Sequence, residues 1–178
     1  IDAYSGESMG NTGETVSEEF DISRQASDEF SVRSHFLANK AWDEGWLDNE
    51  VFRVGELSRD EGIRPDTNIE ALSVLKTVFK EKGLVTAGNA SQVSDGASAV
   101  LIASEDAAKE NNMPIIARII DYATSGVDPG RVMSAPIPAV NMLLEKTRMK
   151  IEDIDILEHN EAFASASCAI RKSFDFPE

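Results

Sequence analysis

Behind Ser23, the apolar positions Ala26, Phe30, Leu37 and Ala41 fall on one helical face, and Gly45 ends the pattern; this predicts a long capped helix. Further on, Pro65 and the Asp66-Thr67 pair read as a turn, after which Ile69, Leu72 and Leu75 predict a short amphipathic helix. Residues 1–15 are rich in Gly, Ser, Thr and Glu and read as loop with a helix start. Up to about residue 85 the pattern therefore predicts helix and loop without a central strand.

The periodicity then changes. Ala99–Ala103 is a continuous apolar run of the kind that suits a strand buried on both faces. Ser104 predicts a cap for the helix starting "EDAAKENN", with acids in the first turn where the helix dipole favours them. A second strand is expected from Pro114 to about Tyr122, then a helix opened by Pro138. "IEDIDILE" reads as a third strand, and a helix from about Glu161 to Lys172 follows. Alternating β and α with short links predicts an α/β layer architecture with parallel strands. The fold class expected is α/β, a helical, loop-rich insertion followed by part of a layered core. Its sheet is incomplete, since three strands and three helices cannot cover both faces. Further strands are expected from outside these residues.

Composition narrows the function classes. The 178 residues, 42% hydrophobic and 28% charged, suffice for a sizeable core. A net charge of −15 argues against nucleic acid or an anionic membrane surface as partner. The acidity is spread over both halves, but Arg59 to Lys82 holds five bases against five acids and is the natural place for a polyanionic ligand. One cysteine, Cys168, excludes an internal disulfide framework and a Cys-rich zinc site, and with two histidines, His35 and His159, no His-based metal site is expected. No apolar run approaches the ~20 residues of a membrane span. The chain begins with Ile rather than Met, so the expectation is a piece of something longer. With no targeting pattern in these residues, the expected location is cytoplasmic.

Four features could carry chemistry, and each has two readings. "TAGNASQVSDG", Thr86–Gly96, lets a backbone approach a ligand closely, or is a tight turn entering a strand. Arg64, beside Pro65, presents a guanidinium to a phosphate or is a solvated charge. In "HNEAFASAS", Asn160 holds a water or an oxyanion, or caps the following helix. Cys168 is a nucleophile or a small buried hydrophobe; His159 lies nine residues earlier, about 13 Å away along a helix, which disfavours a Cys–His pair.

Taken together, these stretches resemble the thiolase family over nearly the whole length. "MGNTGETVSEEFDISRQASDEFSVRSHFLANKAWDEG", "EGIRPDTNIEALSVLKTVFKEKGLVTAGNASQVSDGASAVLIAS", "YATSGVDPGRVMSAPIPAV" and "IEDIDILEHNEAFA" follow in family order, with the Gly-Asn-Ala-Ser and Asn-Glu-Ala-Phe motifs intact. The resemblance implies a loop domain over 1–85, the end of a first core domain over 86–113 and the first part of a second over 114–178. It implies acyl transfer between acyl-CoA thioesters, 3-oxoacyl-CoA thiolysis or acetoacetyl-CoA synthesis, through an acyl-cysteine. Coenzyme A is then a substrate, no separate cofactor is needed, and the parent is a homo-oligomer, dimer or tetramer.

By the same resemblance Asn160 would hold the catalytic water. Ala87 and Ser91 would meet the pantetheine arm, Arg64 the nucleotide end of CoA, and Met9, Phe79 and Phe163 would line the thioester pocket. The sequence departs from the family at Gly13 (usually Ala), Gln92 (often Gly) and His159 (usually aliphatic). The family's nucleophilic Cys is expected upstream, and its Gly-His-Pro and Cys-x-Gly motifs beyond Glu178, so these residues alone are expected to be inactive. The alternatives are a non-catalytic CoA-binding or interaction protein derived from a thiolase and, more remotely, an unrelated α/β enzyme using Cys168.

Overall fold

A computed structural model describes residues 1–176, and most of its regular structure is helical. Helix α1 (Met9–Glu19) opens on Ser8, whose hydroxyl accepts the Gly10 N–H. Helix α2 (Arg24–Asp43) opens on Ser23 as the pattern predicts, the hydroxyl accepting from Ala26 N at 3.1 Å and satisfying an otherwise unpaired first-turn donor. It ends just before Gly45, at φ +71°, where a side chain would crowd the backbone. The turn at Pro65 closes through Thr67 N–H to Arg64 C=O at 3.1 Å, and Asn68 caps the short helix α3 (Ile69–Ser73). Ser104 caps α4 (Glu105–Glu110), again as expected.

Two helix starts differ from expectation. Helix α5 (Pro136–Thr147) opens on Pro136 rather than Pro138, since both prolines fit in the first turn, where no N–H has an intrahelical partner. Helix α6 (Ala164–Phe174) starts three residues later than Glu161. The reason is a competing pairing. Ser91 N–H donates to Ala162 C=O at 2.8 Å, Ala164 N–H donates to Asn89 C=O at 3.0 Å, and Ala90 and Phe163 form an antiparallel bridge. That bridge holds Phe163 extended and delays the helix.

The core lies where α6 packs against α1 and α2. Val16, Val85, Phe163, Ala166 and Ala169 form its centre, and small residues on α6 let the backbones approach. Ser165 Oγ donates to Gly13 C=O at 2.9 Å across that contact. A Cβ at position 13 would stand 3.1 Å from the Phe163 ring and 3.2 Å from Val85, which accounts for glycine there. A 3₁₀ turn, Pro129–Ser134, closes over α1 through an ion pair between Arg131 and Glu19.

The three predicted strands form no ladder among the described residues. Pairing there is confined to isolated bridges, Val54–Leu57, Thr77–Thr86 and Ala90–Phe163. Ala99–Ala103 and 114–122 carry no regular structure, and residues 151–158 hold only a 3₁₀ turn, Ile151–Asp153. Val100 is 84% exposed and Ile116 97%. A strand exists only as paired backbone, and among the described residues no backbone hydrogen bond joins any two of these segments. Apolar runs this open require further backbone to cover them. No helix among the described residues is long and apolar enough to cross a membrane.

Candidate functional site

One cleft of about 300 Å³ lies between α2, the Gly62–Thr67 turn, the loop from Ala87 to Gln92 and the start of α6. The loop is built by its own side chains. Asn89 folds back so that its Oδ1 accepts Thr86 N–H at 2.8 Å, while its Nδ2 donates to Leu84 C=O and to Asp28 Oδ1, both at 3.0 Å. Asp28 is 2% exposed on α2 and also receives Arg24 Nε at 2.7 Å. Arg24 in turn donates to the carbonyls of Leu72 and Leu75 at the end of α3. From the other side, the buried Glu14 carboxylate of α1 accepts the N–H groups of Leu84 and Val85, each at 2.9 Å. Two buried carboxylates therefore fix the loop, each serving donors that would otherwise be buried unpaired.

The close approach of Gly88 to α3 is real. A Cβ there would lie 2.5 Å from Leu72 Cδ2 and 2.7 Å from Leu75 Cδ1. Of the residues singled out from sequence, Arg64, Ala87 and Ser91 line this cleft together, and all three are exposed. Arg64 N–H donates to His35 Nδ1 at 3.2 Å, so the imidazole of α2 is held as the tautomer protonated at Nε2. Burial presses His35 below its ordinary value, the Arg64 guanidinium acts in the same direction, and Glu161 opposes both. Gln92 lies across Gly62, where a Cβ would sit 1.8 Å from Nε2 of the amide, so the side chain at this departure from the family pattern closes one edge of the cleft.

Met9, Phe79 and Phe163 are not among the residues lining that cleft. Phe79 lies on Gly10, where a Cβ would be 2.2 Å from the ring, and the buried Phe163 lies on Gly13 one turn further along α1. Met9, half-buried, begins the same helix.

Asn160 is exposed in the turn before α6 and does not cap it. Phe163 is the N-cap, with no side-chain bond to the first turn. Asn160 C=O accepts Ala162 N–H at 2.9 Å, and its side chain makes no hydrogen bond among the described residues. The neighbouring Glu161 does line the cleft and accepts from Ser34 Oγ on α2. His159 turns toward α6, Nε2 lying 2.8 Å from Ser167 Oγ; burial lowers its pKa and Glu161 opposes that. Cys168 is half-buried against α2, with Sγ 3.7 Å from Ala26 C=O.

Sequence reasoning passed over Ser34, His35, Asp28 and Glu161. A signal existed: Ser27, Ser31, Ser34 and Ala38 recur at helical spacing where the apolar stripe of α2 was sought. Small polar residues on a buried helix face mark a backbone or a cleft lying close by.

Comparison with known proteins bears on this arrangement. Residues 1–106 match the model of the thiolase N-terminal domain, and residues 113–178 that of the thiolase C-terminal domain. The chain is 43% identical over 175 residues to the mitochondrial 3-ketoacyl-CoA thiolase of Bos taurus, covering 94% of this chain and 44% of that protein. Among solved structures, the Bacillus anthracis acetyl-CoA acetyltransferase superposes with a TM-score of 0.92 at 38% identity, over 99% of this chain and 47% of that one. Human mitochondrial 3-ketoacyl-CoA thiolase, solved in complex with CoA, gives 0.90 at 41% identity, over 95% and 44%. The chain thus spans less than half the length of the relatives it matches.

Proposed function

The chain belongs to the thiolase family and has its α/β fold, and from that premise we propose that it forms the CoA-binding part of an acyltransferase site. The reaction is acyl transfer between CoA thioesters, thiolysis of a 3-oxoacyl-CoA or synthesis of acetoacetyl-CoA, through an acyl-cysteine, with coenzyme A as substrate and no further cofactor. The observation that carries this reading is the convergence on one cleft of Arg64 with Ala87 and Ser91, which follow it by 23 and 27 residues.

In that cleft the Arg64 guanidinium pairs with CoA phosphate, a charge-assisted contact that a locally neutral stretch of an acidic chain leaves available. Ala87 and Ser91 are small, so the pantetheine arm lies against backbone. Asn160, not itself among the residues lining the cleft but next to Glu161, which is, holds through its side-chain amide the water that stabilises a developing oxyanion. Met9, Phe79 and Phe163 form the apolar wall of the acyl pocket from the α1 side. Cys168 takes no part. Its thiol packs against α2, just past the first turn of α6 rather than at the N-terminus that would activate a thiolate. The acyl-carrying cysteine and the bases are assigned to the parent protein outside these residues, and the parent is read as a homo-oligomer.

The test is direct. The purified 178-residue chain is expected to bind CoA in a calorimetric titration and to leave acetoacetyl-CoA uncleaved when CoA is added. Arg64→Ala should weaken binding by about tenfold, as expected for one charge-assisted contact. Thiolysis by the chain itself refutes the assignment of the nucleophile elsewhere. Absence of CoA binding by folded chain refutes the cleft.

A further inference from the structure

Two consecutive residues of α2 reach the two sides of the cleft. His35 Nδ1 accepts Arg64 N–H at 3.2 Å, and Ser34 Oγ donates to Glu161, the residue after Asn160. These contacts join segments 29 and 127 residues apart in sequence. We propose that His35 is a positioning residue for the CoA-phosphate grip, its neutral imidazole fixing the Arg64 turn while Ser34 fixes the opposite rim. The inference rests on the CoA reading of the cleft.

The argument is one of hydrogen-bond chemistry. Arg64 is exposed, and its turn is tied internally by Thr67 N–H to Arg64 C=O at 3.1 Å and by Asn68 Nδ2 to Asp66 C=O at 3.3 Å, neither of which engages the Arg64 N–H. Its backbone N–H is bonded to a side chain from another element, so the direction of the guanidinium stem is set by α2 rather than by the turn. Only a neutral imidazole can accept at Nδ1; a protonated ring is a donor at both nitrogens. The charged groups around the ring are Arg64 from the turn and Glu161 from the start of α6, with Asp60 on the same cleft wall. Burial and Arg64 outweigh Glu161 and keep the ring neutral around pH 7, in agreement with the acceptor geometry.

The substitution His35→Asn separates positioning from bulk. An Asn Oδ1 stands near where Nδ1 stood and accepts the same N–H at every pH, whereas His35→Leu fills the space and accepts nothing. In the wild-type chain, imidazole ¹⁵N shifts should report the Nε2–H tautomer, and the Arg64 amide resonance should move with the titration of His35. In His35→Asn that pH step should vanish and CoA affinity should stay within about twofold of wild type. His35→Leu should weaken CoA binding by about tenfold, the scale of one lost hydrogen bond. An Arg64 amide indifferent to His35 ionisation, or a His35→Leu chain binding CoA as tightly as wild type, overturns the inference while leaving CoA binding intact. If CoA binds none of the three chains although the Arg64 amide still follows His35, the CoA reading itself falls, and the grip with it.

Discussion

Replacing Asp28 with alanine tests the internal frame of the cleft. The carboxylate is 2% exposed and serves two donors, Arg24 Nε at 2.7 Å and Asn89 Nδ2 at 3.0 Å. Removing one partner of a fully buried ion pair costs about 3–5 kcal/mol, because the other charge is stranded. Arg24 is not fully stranded. Its side chain keeps 26% exposure and the carbonyls of Leu72 and Leu75, and Asn89 keeps Leu84 C=O. The low end applies, and the better helix propensity of Ala returns about 0.5 kcal/mol, leaving a loss of about 2.5 kcal/mol. Asp28→Asn should lose less, about 1.5 kcal/mol, since the amide oxygen can still accept from one donor while its NH₂ must face the other. Urea unfolding followed by circular dichroism measures both, with the m-value checked for constancy. Asp28→Ala within about 0.5 kcal/mol of wild type refutes the reasoning, as does Asp28→Asn proving the more damaging change.

Ser27 Oγ is fully buried with no hydrogen-bond partner among the described residues, so Ser27→Ala should raise stability by about 1 kcal/mol. A lower urea midpoint would show that the hydroxyl has a partner after all. Gly10→Ala places a Cβ 2.2 Å from the Phe79 ring and should displace it at a cost of about 1–3 kcal/mol, read by unfolding and by the ring's NMR shifts. An unmoved ring would contradict the contact. For His159, burial lowers the pKa in the folded chain, so its neutral form is favoured there. The associated stability is present above the ordinary value of 6.5 and is lost as pH falls through the folded value. Lowering the pH from about 7.5 to 5.5 should therefore destabilise wild type more than His159→Gln, which can still bond Ser167; equal losses would remove His159 as the cause.

Local sequence determined the helices whose start is a side-chain event. Ser23, Asn68 and Ser104 each satisfy an N–H within three residues, an interaction that needs no distant partner. Order and spacing of motifs also determined the family, and they picked out Arg64, Ala87 and Ser91, which share one cleft. What they could not determine is whatever depends on backbone far away. The runs at Ala99–Ala103 and 114–122 have strand composition, yet a strand needs a neighbour to pair with, and none of the described residues supplies one. The late start of α6 has the same origin, because residues 89–91 pair with residues 162–164 and hold them extended. The frame of the cleft is likewise tertiary. Asp28 meets Asn89 across 61 positions, Glu14 meets Val85 across 71, and Ser34 meets Glu161 across 127. A carboxylate in a helical pattern looks the same in sequence whether it faces water or a buried amide, and only packing excludes the water and makes that hydrogen bond decisive.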